Sequence, residues 1–154
     1  TEDKMLTAFL GHIVSKNCEK TLLRHKVIFI GGGSQIAELI SKNQTEEFLA
    51  PKDKVIAILD ADQRNEKFAG DPGIYTIPLD SVEKALLRAS QEDADFPFRT
   101  HKSDYTNGRS LNYDIKDQNI ATQEDIFDYL LERHRDDFQD IVGTICAFLP
   151  QPQT

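Results

Sequence analysis

Apolar residues at positions 5, 6, 9, 10, 13 and 14, and again at 22 and 23, recur every three or four places in MLTAFLGHIVSKNCEKTLL. That spacing predicts an amphipathic helix. The next run, KVIFI, is short, apolar and rich in β-branched residues, and glycines end it, so it reads as a buried strand. SQIAELISKN is expected to be a helix of two to three turns, followed by TEEFLAP as a short helical or turn segment that Pro51 stops. KVIAILD is a second buried strand. QRNEKFAGDPG is a polar loop with turn chemistry at Asp71, Pro72 and Gly73, and IYTIP a third strand. SVEKALLRASQ then predicts a helix capped by Ser81 or Asp80, with Glu83 in its first turn.

The strands are continuously apolar instead of alternating. That pattern fits an α/β fold, a mostly parallel sheet of Rossmannoid type with helices on both faces. From Phe96 to Asn119 the periodicity fades, and FPFRTHKSDYTNGRSLNYDIKD reads as a long loop or insertion. TQEDIFDYLLERHRDDFQDIVGTICAFL is helical, capped by Thr122, with Ile126, Tyr129, Leu130 and Leu131 on one face and a break near Arg135 or Asp136. The expected division is a core over residues 1–95, a loop or insertion over 96–121 and C-terminal helices over 122–150, with PQPQT as a disordered or linker tail.

Composition narrows the function classes. The chain has 154 residues, 39% of them hydrophobic and 29% charged, as for one ordinary globular domain. A net charge of −8 argues against a protein that coats nucleic acid by itself, so contact with a polyanion would need a local patch, a metal or a partner domain. Cys18 and Cys146 form no CxxC pattern, and a reducing cytosol with neither a disulfide scaffold nor a cysteine zinc site is the default expectation. No apolar run approaches the length of a membrane span, so no membrane partner is expected.

The chemistry centres on VIAILDADQRN, where a buried strand runs into Asp60 and Asp62. Residues i and i+2 of a strand share a face, and ligands of open α/β sheets bind at the carboxyl ends of strands. Two carboxylates there suit a hard divalent cation, and equally suit a solvated strand end. In IGGGSQIAELI, Gly31 and Gly33 start a GxGxxG fingerprint, but Ile36 stands at its last position and no P-loop lysine follows. The glycines are better explained by a tight turn or a close backbone approach. Glu83, and Glu2 and Asp3 at the start of the first helix, are favoured by the helix dipole alone. His12, His25, His101 and His134 have no paired metal spacing, and His12 is expected to pack against the apolar face. HKSDYTNGR, with Arg99, Lys102, Arg109 and an interleaved Tyr105, is a modest basic segment that reads as a solvated loop or, less simply, as a DNA backbone contact.

Taken in order, the acidic ED pair leading into a helix, the GGG turn, the DAD strand end and IPLDSVEK resemble the Toprim domain of the overcoming-lysogenization-defect (OLD) family nucleases and related ABC-type ATPases, over residues 1 to 90. The resemblance implies a Toprim-like core whose first strand is cut away or elsewhere, because no strand precedes Glu2. It implies Glu2 as the catalytic glutamate, Asp60 and Asp62 as the metal-binding pair, Glu83 as the later acid and Asp3 as a less certain ligand, holding one or two Mg2+ or Mn2+ ions. The family's late lysine falls on Lys102 or Lys116, neither of which sits in a matching motif. The implied activity is metal-dependent hydrolysis of DNA phosphodiesters, in the cytoplasm, with an ABC-type ATPase domain in the same or a partner chain, in a homo-oligomer, as part of antiphage defence. The alternatives are an inactive Toprim-like docking or oligomerisation module and a Rossmann-like nucleotide-binding domain.

Overall fold

The computed structural model describes residues 2–18, 32–62, 66–68 and 70–149. In chain order these carry α1 (Glu2–Asn17), α2 (Gly33–Glu46), a 3-10 turn (Lys52–Lys54), β1 (Ala57–Leu59), β2 (Ile74–Thr76), α3 (Val82–Glu92), α4 (Gly108–Asp117), α5 (Gln123–Arg133) and α6 (Arg135–Phe148). The chain is thus a mixed α/β domain in which helices dominate. β1 and β2 pair in parallel, Ala57 with Ile74 and Leu59 with Thr76. Among the described residues the sheet has these two strands, less than the mostly parallel sheet expected, and the predicted strand KVIFI lies outside them. The predicted tail at 150–154 lies outside them as well.

Among the described residues, two apolar clusters hold the fold. The smaller packs Ala37 and Ile40 of α2 against Ala57, Leu59 and Ile74 of the strand pair. The larger is helical: Phe9 and Ile13 of α1 meet Leu86 of α3, Leu111 and Ile115 of α4, Ile126 and Leu130 of α5 and Phe138 of α6, all nearly inaccessible to water. Phe9 is wedged edge-on between Phe127 and Phe138, with ring centroids at 5.1 and 5.6 Å. This arrangement adds to plain area burial, since edge-to-face pairs align opposite ends of the ring quadrupoles.

The caps expected at Ser81 and Thr122 are both formed. Ser81 accepts from the Lys84 N–H at 3.1 Å, capping α3. Thr122 and Asp125 cap α5 reciprocally, at 3.2 and 3.0 Å, and the backbone and side-chain bonds from Thr122 hold the Asp125 carboxyl below its ordinary range. The expected break near Arg135 falls one residue earlier, at His134, whose φ of −112° and ψ of 26° joins α5 to α6. α2 ends at Glu47 in the left-handed region, φ 47°, and the buried Asn43 closes the following turn. Its amide donates to the Ala50 carbonyl at 2.9 Å, and its oxygen accepts from the Leu49 and Ala50 N–H groups at 2.8 and 3.3 Å.

Two expectations are corrected. The stretch 96–121 is not a loop throughout, since Gly108–Asp117 is a helix, capped by Asn107 accepting from the Ser110 N–H at 2.8 Å. Only Leu111 and Ile115 give it an apolar stripe, which is too little periodicity to read locally, yet both are buried by α3 and its neighbours. The segment leading to it is also anchored. Phe96 is buried, the Arg99 guanidinium donates to the Ser90 and Asp93 carbonyls at the end of α3 at 2.7 and 2.9 Å, and Tyr105 donates to Asp114 at 2.7 Å. The second correction concerns the cysteines. Cys18, just past α1, and Cys146, in the last turn of α6, form a disulfide with Cα atoms 5.1 Å apart. Their separation of 128 residues hid the pairing from any sequence pattern.

Candidate active site

The carboxyl edge of the strand pair gathers part of the expected acidic group. Asp60 directly follows β1, and the chain leaving β2 runs through Leu79 to the start of α3. The Ala61 N–H donates to the Leu79 carbonyl at 2.8 Å, continuing the ladder past the strands and fixing the two exits side by side. Asp60, Ser81, Val82 and Glu83 therefore line one small cleft, which Met5 and Leu6 of α1 close from the third side. Glu2 lies one helical turn before Met5 and Leu6, at the end of α1 nearest this cleft. Glu2 and Asp3 are described only as helical positions.

Asp62 departs from the expectation. The strand ends at Leu59, and Ala61 and Asp62 already turn, so the alternation that would put Asp60 and Asp62 on one face no longer applies. Ala61 is buried, whereas Asp62 is exposed, with its carboxylate 3.9 Å from Lys84 Nζ. Glu83 is held close to the body, its side chain 14% exposed, with Arg109 Nε at 4.0 Å. Among the described residues no group of three or more His, Cys, Asp or Glu side chains is placed to hold a metal ion. The cleft has room for about 10 Å3, roughly one water. Asp60 and Glu83 are hard oxygen donors of the kind Mg2+ and Mn2+ prefer, and they are two where a stable site wants more.

Neither expected lysine lies at this cleft. Lys116 Nζ donates to Gln123 at 2.9 Å, bridging α4 to α5, and Lys102 lies over the Tyr105 ring at 5.0 Å. The basic segment is likewise committed to the fold, with Arg99 holding the end of α3 and packing 5.3 Å from the Phe96 ring. The cations that do flank the acids are Lys84, inside the SVEK helix start, and Arg109. A glycine puts Arg109 there. A Cβ on Gly108 would sit 1.8 Å from the Glu83 carbonyl oxygen, so the first turns of α3 and α4 touch backbone to backbone. The Asn107 cap was the legible signal for this helix start. That it abuts Glu83, more than twenty positions away, was not legible in the sequence.

Of the remaining candidates, His25 and Gly31 lie outside the described residues. His12 packs as expected, 9% exposed, with Nε2 2.7 Å from Asp128. Gly32 caps the start of α2 with φ −69° and ψ 165°. Gln35 reaches back to accept from its N–H at 3.1 Å. A larger cleft, about 500 Å3, separates Ile74, Tyr75 and Thr76 of β2 from Asp140, Ile141 and Thr144 of α6, and contains none of the expected site residues. The chain matches no protein-family model, no curated protein and no solved structure. No helix among the described residues is long and apolar enough to cross a membrane.

Proposed function

We propose that the chain is a Toprim-like, metal-dependent nuclease domain that hydrolyses DNA phosphodiesters in concert with an ABC-type ATPase domain, in cytoplasmic antiphage defence. One observation carries the reading: Asp60, at the carboxyl end of β1, and Glu83, in the first turn of α3, face one cleft whose third wall is the start of α1. Asp60 and Glu83 would hold Mg2+ or Mn2+, with Glu2 completing the set from α1 and Asp62 and Asp3 as outer ligands. When bound, such an ion lowers the pKa of a coordinated water and neutralises charge on the phosphodiester. Lys84 and Arg109 stand 3.9 and 4.0 Å from the acids and would meet the backbone phosphates, in place of Lys102 and Lys116.

The test is plasmid nicking with Mg2+ or Mn2+, with the ATPase domain present, comparing the wild type with Asp60→Asn and Glu83→Gln. Either variant is expected to lose at least about 100-fold in rate, on the scale of removing a metal ligand or its charge. Unchanged rates would overturn the site, and no cleavage by the wild type would overturn the activity.

A second reading, an inactive docking or oligomerisation module of the same fold, is favoured by the ion pairs Lys84–Asp62 and Arg109–Glu83, which set a cationic side chain 3.9 and 4.0 Å from two of the acids. It requires that Mn2+ titrated into the protein give no binding heat and that the chain self-associate.

A further inference from the structure

The cleft has room inside for about one water, so its walls decide what enters between Asp60 and Glu83. Two of its walls are tied together through the backbone. The Ile77 N–H donates to the Leu59 carbonyl at 2.8 Å and the Ala61 N–H to the Leu79 carbonyl at 2.8 Å, while the start of α3 is pinned by the Ser81 cap and by Gly108 of α4 against Glu83. The third wall, Met5 and Leu6, belongs to α1. Among the described residues α1 is held to the body by side chains: Phe9, Leu10 and Ile13 in the core, His12 on Asp128 at 2.7 Å, and the disulfide at its end.

Phe9 meets Phe138, and Cys18 meets Cys146, so α1 and α6 run in the same direction, and the disulfide fastens the end of α1 remote from the cleft. In the oxidised protein an undocked α1 therefore stays within a disulfide's reach of α6, a tether that reduction removes. Cys18 and Cys146 are each half-buried as residues, and neither is among the fully buried side chains of the core. In a reducing compartment, disulfides are characteristically transient and redox-sensing.

We propose that Cys18–Cys146 is a redox latch on α1: reduction frees α1 to undock as a unit and opens the cleft that Met5 and Leu6 close. The reductant is a dithiol of thioredoxin type. Its thiolate attacks one sulfur to give a mixed disulfide, and its second thiolate displaces the remaining cysteine. Two electrons and two protons thereby pass to Cys18 and Cys146, and the reductant leaves as a disulfide. The latch stands on the packing alone, while its consequence for DNA cleavage rests on the function proposed above.

Native-state hydrogen exchange on the full chain, oxidised and under dithiothreitol, reads this directly. Amides of α1 are expected to exchange at least tenfold faster in the reduced protein, while those of α3 and α4 change less than threefold. The Cys18→Ser, Cys146→Ser double variant is expected to exchange like the reduced wild type and to ignore dithiothreitol. If it does not fold, the reduced wild type carries the comparison. Equal acceleration in α1, α3 and α4 would mean that the disulfide only stabilises the whole domain, and would overturn the latch. So would two alkylatable thiols in the unreduced protein. In the nicking assay, reduction should raise the rate at least threefold. Equal rates together with faster α1 exchange would overturn the link to the cleft, while no cleavage in either state would overturn the nuclease reading and leave the exchange result standing.

Discussion

Replacing Gly108 with alanine tests the contact that brings Arg109 to Glu83. The added Cβ would lie 1.8 Å from the Glu83 carbonyl oxygen, 2.4 Å from its carbonyl carbon and 3.0 Å from its Cα. All three atoms are backbone in the first turn of α3, so no side chain can swing aside. Restoring a separation of about 3.5 Å requires the start of α4 to back off by roughly 1.7 Å. That movement loosens Leu111 and Ile115 from the core they share with Leu86, and overpacking of this kind costs about 1–3 kcal/mol or more. With no slack in the backbone, the upper end applies, about 3 kcal/mol, which for a domain of this size lowers Tm by about 6–12 °C. Gly143→Ala is the control. Gly143 is exposed in α6, a Cβ there meets nothing within 4 Å among the described residues, and alanine should stabilise the helix by about 0.5–1 kcal/mol. Thermal and urea unfolding followed by circular dichroism reads both. A Gly108→Ala protein within 2 °C of wild type, by the scale of about 2–4 °C per kcal/mol, would refute the close helix contact.

Two more predictions follow from buried polar groups. Asn43→Ala removes an amide that is 1% exposed and strands the Leu49 and Ala50 N–H groups, so a loss of about 2–3 kcal/mol is expected in urea titrations. A loss below about 0.5 kcal/mol would show that water replaces the side chain. Tyr129 donates to Asp93 at 2.5 Å, and burial first, then that carboxylate, push the phenol up to about 12. A raised folded-state pKa stabilises the fold fully below pH 10 and loses that contribution between pH 10 and 12. The same bond holds the Asp93 carboxyl below its ordinary range, a contribution present above about pH 4 and lost as pH falls further. Tyr129→Phe should therefore flatten both limbs of the stability profile, and an unchanged alkaline limb would refute the assignment.

Features whose physics acts within about four residues were legible in the chain. Ser81 and Thr122 announce their helices by cap chemistry, the helix over α2 by its spacing, and β1 and β2 by apolar runs ending in turn residues. Asp60 at a strand end and Glu83 at a helix start were legible for the same reason, and their meeting at one cleft follows from parallel pairing. Asp62 was misplaced because strand alternation was carried two residues beyond the strand.

The sequence by itself determined a mixed α/β domain with Asp60 at a strand end, Glu83 at a helix start and helices toward its C-terminal end. Only the tertiary structure decided that α4 exists where two apolar residues hardly announce it, that its glycine start rests on Glu83, that Lys84 and Arg109 flank the acids, and that Cys18 meets Cys146 across 128 positions. The physical reason is range. Caps, turns and hydrophobic spacing are energies between near neighbours in the chain, whereas these four depend on which helix faces the core packs together.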